Sequence, residues 1–167
     1  SSRILISGHL SPDGDSLGSM IALARLLTAA GYPAFAAADL NAVGKLKILD
    51  GVEDPHNLGA IIRTAEITGA HGVIIPKRRS ASLSFTVAKT SAGAVEFMHV
   101  ARVTNIPQTI DDLKKRGVWV YCADMDGEPF YKSNLKGAIA LVIGSEGNGV
   151  GRLVKEKCDV TLSMPMK

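Results

Sequence analysis

A glycine-rich loop at residues 144–151, Gly-Ser-Glu-Gly-Asn-Gly-Val-Gly, is the segment of this 167-residue chain best suited to chemistry. It holds four glycines in eight residues and one carboxylate, Glu146. Because glycine has no Cβ, the backbone of such a loop can approach a ligand closely. The apolar run 141–143 before the loop is typical of a buried parallel strand, and open α/β sheets bind ligands at the carboxyl ends of such strands. A flexible connection between strand and helix is the alternative.

A second polar pair, Asn57 and Arg63, lies on a segment with helical periodicity that ends near Gly69. The apolar residues that share one side of this predicted helix are Leu58, Ile61, Ile62 and Ala65. Taken alone, Asn57 is better explained as the N-cap of the helix and Arg63 as a solvated helix position.

A third set, His9, Asp13 and Asp15, occupies a turn-rich loop after the short apolar strand 3–7. Imidazole and carboxylate groups together suit a divalent metal such as manganese. The alternative is that Asp15 caps the following helix and Asp13 lies in a turn. We favour that alternative, because a two-metal site needs more ligands than these three.

Composition places the chain among ordinary globular proteins, with 46% hydrophobic and 21% charged residues. A net charge of +3 permits a polyanionic partner, and the basic loop 77–79 could contact RNA phosphates or simply be solvated. Aromatic residues make up 5%, too few to predict a base-stacking platform. Cys122 and Cys158 have no metal-like spacing, and we interpret them as reduced core residues of a cytoplasmic protein. We expect no membrane span and no signal peptide, since no apolar run is long enough and no basic segment precedes one.

Strand-like and helix-like segments alternate along the whole chain. We predict strands at residues 3–7, 33–38, 46–52, 72–76, 95–103, 118–123, 138–143 and 159–164. Predicted helices run from residue 15 or 16 to 30, from 58 to 68, and over residues 84–91, 107–116 and 152–158, and residues 124–136 form a polar connection. This alternation predicts an α/β fold, a parallel sheet with helices on both faces in the Rossmann-like or SPOUT-like manner.

Three segments in this order resemble the SpoU/TrmH family of RNA ribose 2′-O-methyltransferases, which belongs to the SPOUT class. They are Asp-Pro-His-Asn-Leu-Gly-Ala-Ile-Ile-Arg-Thr-Ala at residues 54–65, Leu-Val-Ile-Gly-Ser-Glu-Gly at 141–147 and Leu-Ser-Met-Pro-Met at 162–166. They correspond to the family's Asn–Gly–Arg motif, its Gly-Ser-Glu-Gly loop and the start of its final motif. The resemblance covers residues 46–167, about three-quarters of the chain.

The resemblance implies attack of a ribose 2′-hydroxyl of rRNA or tRNA on the methyl group of S-adenosylmethionine. It implies that the backbone of five residues holds the cofactor: Ile143, Gly144, Gly147, Leu162 and Met164. Arg63 acts on the hydroxyl, while Asn57 and Glu146 hold the loops and substrate. We interpret Arg63 as an orienting and charge-stabilising group rather than a base, because guanidinium groups titrate above about pH 12.

The sequence departs from the family after residue 167, where the family's final helix would follow. In the family that segment completes the cofactor pocket, threads a trefoil knot and supplies much of a homodimer interface. We therefore expect no complete knot here, impaired activity and loss of the usual dimer.

The first 45 residues resemble a different family, the DHH phosphoesterases, through Ile-Leu-Ile-Ser-Gly-His-Leu-Ser-Pro-Asp-Gly-Asp-Ser-Leu-Gly-Ser at 4–19. In that family His9, Asp13 and Asp15 would be manganese ligands. Its Asp-His-His triplet is absent from this sequence, so we assign no metal site. We expect a chimera, natural or engineered, in which the strand–helix–strand fragment 1–45 completes one integrated domain with the truncated methyltransferase domain 46–167.

Three functions from different classes follow from these resemblances. The first is an RNA 2′-O-methyltransferase with impaired activity. The second is a chimeric fold that keeps the scaffold without catalysis. The third, a manganese-dependent phosphoesterase fragment, is disfavoured by the missing ligands.

Overall fold

The computed structural model describes residues 4–6, 34–36 and 45–164. The strands are β1 (Ile4–Ile6), β2 (Ala34–Ala36), β3 (Lys45–Asp50), β4 (Gly72–Pro76), β5 (Val100–Val103), β6 (Trp119–Pro129), β7 (Ile139–Gly144) and β8 (Val160–Ser163). The helices in the described ranges are α1 (Pro55–Ile67), α2 (Phe85–Thr90), α3 (Ile106–Lys115) and α4 (Arg152–Lys157).

Six strands form one sheet in the order β5-β4-β3-β7-β6-β8, and every pairing in it is parallel. The longest regular register joins the two central strands, from Lys45 opposite Ile139 to Asp50 opposite Gly144. Parallel neighbours need a crossover connection, and the helices between the strands provide it. The predicted parallel α/β sheet is confirmed.

Helices cover both faces of the sheet because side chains alternate along each strand. Leu49 of β3 packs with α1 and α2 on one face, in a core that includes Leu58 and Ile62. Its neighbour Ile48 packs on the opposite face with Ile110 of α3 and with α4. Strand β3 therefore contributes core residues to both faces of the sheet.

Two predicted elements differ from the structure. Strand β5 begins only at Val100, because Gly93 takes a positive φ of 80° and starts a 3-10 turn at Ala94–Glu96. The alternation of residues 95–103 was therefore partly misleading. Strand β6 continues to Pro129, so the start of the polar stretch 124–136 is strand and not a loop. Its register against β8 shifts between Ala123 and Glu128, both of which are opposite Leu162.

Strands β1 and β2 confirm two short strands predicted near the start of the chain, and they pair in parallel from Ile4 opposite Ala34 to Ile6 opposite Ala36. The helix predicted between them lies outside the described residues. The absence of a complete knot depends on the chain after Met164, which is also outside them, and stays a prediction. None of the described helices is long and apolar enough to cross a membrane.

Candidate functional site

The centre of the sheet contains a topological switch point between β3 and β7. The chain leaves β3 into α1 on one face, whereas it leaves β7 into α4 on the opposite face. The two connections diverge, and a crevice opens at the carboxyl ends of the two strands, which is where open α/β sheets bind ligands. The loops at residues 51–54 and 145–151 form the rims of this crevice.

Asp54 fixes the first rim by capping α1. Its carboxylate accepts hydrogen bonds from the backbone N–H groups of His56 (3.2 Å) and Asn57 (3.0 Å), and Pro55 occupies the first helical turn. The N-cap alternative for Asn57 is therefore wrong. The helix begins earlier than predicted, and Asn57 lies inside its first turn with an exposed side chain.

The glycine loop forms the second rim as a tight turn closed by its own backbone. The N–H of Ser145 donates to the carbonyl of Gly149 (3.1 Å), and the N–H of Gly149 donates back (2.9 Å). Gly144 has no room for a side chain, since a Cβ there would lie 2.0 Å from the carbonyl carbon of Gly149. Gly147, in contrast, has nothing within 4 Å of a Cβ position, so its backbone faces open space.

A single carboxylate couples the end of β3 to the second rim. Asp50 accepts a hydrogen bond from the N–H of Gly151 at 2.8 Å, just before α4 begins. The next residue, Gly51, has a φ of +77° and brings the first rim close to Ser145. A Cβ added at Gly51 would lie 3.7 Å from the Cβ of Ser145. These two contacts thus fix the position of one rim relative to the other.

Between the rims lies a cleft of about 670 Å³, which we call the glycine-loop cleft. The predicted site residues that line it are Asn57, Ile143, Gly144, Glu146 and Gly147. Two segments separated by more than eighty residues therefore meet in one concave site of the size that binds small molecules. No hydrogen bond joins the Asn57 and Glu146 side chains within the part of the chain that the structure describes.

Arg63 does not line the glycine-loop cleft. Ala60 and Thr64, which lie near it in α1, do line the cleft. Its side chain is exposed on the flank of the helix. No hydrogen bond or ion pair joins its guanidinium to another residue within 45–164. The structure thus brings together two of the three predicted catalytic residues and places the third beside them.

The two remaining predicted cofactor residues, Leu162 and Met164, line a neighbouring apolar groove of about 390 Å³. It runs over the β7, β6 and β8 part of the sheet, on the same face as α1. Its apolar lining includes Tyr121, Phe130, Leu135, Ile139 and Leu141. The apolar groove and the glycine-loop cleft share two residues, Lys47 and Thr64, so the predicted cofactor residues surround two adjoining spaces.

Lys47 at this junction escaped the sequence analysis, because a lysine within the strand 46–52 carries no motif. Burial, followed by the nearby charge of Lys45, lowers its pKa from the ordinary lysine value. In β3 it is opposite Leu141, and facing residues in parallel strands point to the same side of the sheet. A cationic group therefore lies among the apolar walls where the two spaces meet.

The two cysteines are free, in agreement with the prediction. The structure adds that the two side chains are neighbours, and the proximity of Cys122 together with burial raises the pKa of Cys158. Cys122 and Cys158 both pack against the core under α3 and α4. Their separation in sequence concealed the pairing, which depends on β6 lying beside β8.

Helix α4 is tied to the sheet by an ion pair to the middle of β6. The Lys155 ammonium lies 2.7 Å from the Asp124 carboxylate, and this hydrogen bond lowers the pKa of Asp124. A lowered carboxyl pKa means that the contribution to stability is present above the ordinary aspartate pKa and is lost as the pH falls towards the folded-state value. The pair anchors the helix that follows the glycine loop.

The candidate metal ligands His9, Asp13 and Asp15 lie outside the described residues. Within the described ranges, no group of three or more histidine, cysteine or acidic side chains is placed to hold a metal ion. The site that the structure does describe is therefore one of backbone groups, an amide and a carboxylate.

Comparison with known proteins gives the family of this site. Residues 46–167 match the SpoU rRNA Methylase family. The putative TrmH family tRNA/rRNA methyltransferase YacO of Bacillus subtilis is 55% identical over 121 residues, covering 71% of this chain and 48% of that protein. A putative TrmH family methyltransferase of Staphylococcus haemolyticus is 52% identical over 129 residues, covering 77% and 52%. The chain thus spans about half the length of these relatives.

Solved structures agree with the sequence matches. A putative RNA methyltransferase of the TrmH family from Porphyromonas gingivalis has a TM-score of 0.70 and 32% identity, covering 78% of this chain and 54% of that one. The SpoU methyltransferase AviRb from Streptomyces viridochromogenes, solved with the cofactor AdoMet, has a TM-score of 0.69 and 25% identity over the same shares. Through residues 46–167, which carry both rims of the glycine-loop cleft, the chain belongs to the SpoU rRNA Methylase family.

Proposed function

We propose that this protein transfers a methyl group from S-adenosylmethionine to a ribose 2′-hydroxyl of rRNA or tRNA. The observation that carries the proposal is the meeting of two family motifs in one cleft, with Asn57 in the first turn of α1 beside the first rim and Glu146 on the second rim. Each residue alone has an ordinary structural explanation. Their convergence at the switch point of the sheet is what a binding site requires.

The cofactor fits the residues that are present. The open backbone at Gly147 offers polar groups, while Leu162 and Met164 supply apolar walls in the adjoining groove. A ligand with both a charged and an aromatic part matches that combination. When bound, S-adenosylmethionine would supply the methyl group of its sulfonium for the new O–C bond, with S-adenosylhomocysteine as the leaving group and solvent water as the final acceptor of the hydroxyl proton.

The protein's own part is to hold and orient the reactants. Asn57 in the first turn of α1 and Glu146 on the second rim both line the cleft, and they offer an amide and a carboxylate for hydrogen bonds to the ribose and to the loops. Arg63, exposed and without a partner in the 45–164 stretch, offers a guanidinium for the charge that develops on the hydroxyl. Holding hydroxyl and methyl group in line supplies much of the rate gain in such transfers.

Calorimetric titration with S-adenosylmethionine and transfer of a tritiated methyl group to bacterial rRNA and tRNA test the proposal. We expect saturable binding and label in RNA, with ribose 2′-O-methylation identified by nuclease resistance of the modified linkage. No detectable heat and no label would contradict it. Binding without label would instead support the non-catalytic scaffold described above.

We further propose that residues 1–45, the DHH-phosphoesterase-like fragment, and residues 46–167 form one integrated domain. The segment between β1 and β2 carries apolar residues on more than one side of a predicted helix: Leu17, Met20, Ile21, Leu23, Ala24, Leu26 and Leu27. Two short strands cover only one side of such a helix, and the apolar groove offers a second surface. Lys45, which lines that groove, follows β2 after the short segment 37–44.

Limited proteolysis and thermal melting of the whole chain test this packing. One cooperative transition without cleavage near Gly44 is the expected result. Cleavage there, with two separate transitions, would contradict the integrated domain. A concentration-dependent dimer in sedimentation that dissociates when the exposed Met164 of the groove is changed to Glu would place a second copy of the chain on the groove instead.

A further inference from the structure

We propose that Arg78 and Arg79 bind phosphates of the RNA strand whose ribose enters the glycine-loop cleft. This inference rests on the proposed function and names the part of the surface that holds the substrate. The two arginines line a second cleft of about 520 Å³, which we call the basic cleft. Its other walls come from the loop before α3, including Thr104 and Asn105, and from the outer side of the glycine loop.

The basic cleft continues directly from the glycine-loop cleft. The residues that line both are Gly51, Glu53, Ser145 and Asn148. The two clefts therefore form one channel along the carboxyl edge of the sheet, divided by the rims described above. When one nucleotide binds in the glycine-loop cleft, its neighbours along the strand lie in the basic cleft. The groups that the basic cleft contacts are therefore the phosphates of these flanking nucleotides.

The arginines are exposed and available for such contacts. Neither guanidinium forms a hydrogen bond or an ion pair with another residue of the 45–164 stretch. Guanidinium groups present a planar fork that matches two phosphate oxygens at once. Both guanidinium groups, with no partner in the described residues, thus form a phosphate-binding surface at the wall of the channel. An arginine in an ion pair with a carboxylate of the protein would already be neutralised.

The loop that bears them is held at both ends. The N–H of Lys77 donates to the carbonyl of Val103 (2.8 Å), and the guanidinium of Arg102 donates to the carbonyl of Lys77 (3.3 Å). Beyond the arginines, the N–H of Ala81 donates to the carbonyl of Val52 on the first rim (3.0 Å). The basic loop is therefore attached to the rim that carries the cap of α1. This attachment fixes the position of the two arginines relative to the glycine-loop cleft.

Arg79 has a backbone conformation that its side chain does not favour. Its φ is +57°, in the left-handed region that is uncommon for residues other than glycine and asparagine. A glycine there would relieve this cost. An arginine at such a position is better explained by what its side chain binds than by the stability of the loop.

The carboxylates of the basic cleft set where a phosphate binds. Asp50 is engaged by the N–H of Gly151, and Glu53 lies in the part shared with the glycine-loop cleft. Asp50 ends β3 and Glu53 lies on the first rim, so these two carboxylates repel phosphates from the parts of the channel beside them. The arginine wall remains as the favourable position, which orients the strand across the edge of the sheet.

The test is the salt dependence of RNA binding in the double variant Arg78→Ala/Arg79→Ala, measured with a labelled single-stranded RNA oligonucleotide of mixed sequence. Each phosphate contact to a single strand contributes about 0.7 to the slope of log affinity against log salt. We expect the slope to fall by about 0.7 to 1.4 and the affinity in low salt to fall about tenfold or more. Affinity for S-adenosylmethionine should not change, because neither arginine lines the glycine-loop cleft.

The matched control is Lys115→Ala/Arg116→Ala, which removes two adjacent exposed positive charges at the opposite end of α3. We expect this variant to keep the parent slope. An unchanged slope in the Arg78/Arg79 variant, or an equal loss in the control, would overturn the inference. The variant Arg79→Gly separates binding from folding, since we expect its melting temperature to equal or exceed that of the parent while its RNA affinity falls.

The outcome is independent of the methyltransferase test. If the parent transfers no methyl group yet binds RNA with an arginine-dependent slope, the proposed function fails and the basic cleft stands. If methyl transfer is observed and the slope does not depend on Arg78 and Arg79, the reverse holds.

Discussion

Changing Gly144 to alanine is expected to abolish binding of S-adenosylmethionine and to lower the free energy of unfolding by about 3 kcal/mol, the upper end of the usual cost of overpacking. The new Cβ would lie 2.0 Å from the carbonyl carbon of Gly149, 2.2 Å from its oxygen and 2.3 Å from the nitrogen of Val150. These are backbone atoms, so no side chain can rotate away. The loop must open, and the two hydrogen bonds between Ser145 and Gly149 are lost with it.

The matched variant is Gly147→Ala in the same loop. Its Cβ meets no protein atom within 4 Å and its φ is not in the left-handed region, so the free energy of unfolding should change by about 0.5 kcal/mol or less. If the cofactor approaches this backbone as proposed, affinity for it should still fall. Urea unfolding and calorimetry measure the two quantities separately. A Gly144→Ala protein that binds the cofactor like the parent would contradict the assignment of the loop.

Much of this fold was predictable because its signals are local. Strand β4 matches the predicted residues 72–76, and α2 and α4 lie within the helices predicted at residues 84–91 and 152–158. The central strands are apolar on both faces, which is the mark of a parallel sheet under two layers of helices. The glycine loop was predictable for the same reason, because an apolar run followed by a loop with four glycines is recognisable in the sequence without tertiary information.

The remainder depended on contacts between distant parts of the chain. No local pattern states that β7 inserts between β3 and β6, yet this order creates the switch point and brings Asn57 opposite Glu146. The N-cap of α1 is Asp54 and not Asn57, since the helix already begins at Pro55, a residue suited to the first helical turn. The basic loop is attached to the cleft by a hydrogen bond between the backbone groups of Ala81 and Val52. Because no side chain takes part in it, the residue types at these positions could not predict it.

The location of Arg63 leads to the other prediction with a large effect. Because its guanidinium is exposed on the flank of α1 and outside the lining of the glycine-loop cleft, Arg63→Ala should leave S-adenosylmethionine affinity unchanged. The rate constant kcat for methyl transfer to RNA should fall about 10²–10³-fold, the usual loss when one stabilising group at a developing charge is removed. Arg63→Lys keeps the charge without the fork and should recover part of that loss.

The pH dependence of kcat separates an orienting group from a base. A charged orienting group loses the same factor at every pH, so the profile of Arg63→Ala should run parallel to that of the parent. A base would remove the limb of the profile that its own titration produces, and Arg63→Lys would shift that limb. Arg116→Ala, an exposed arginine at the far end of α3, serves as the control and should behave like the parent. A shifted limb in Arg63→Lys would therefore assign proton removal to Arg63 and overturn the orienting role, whereas parallel profiles require that the proton leave to another acceptor.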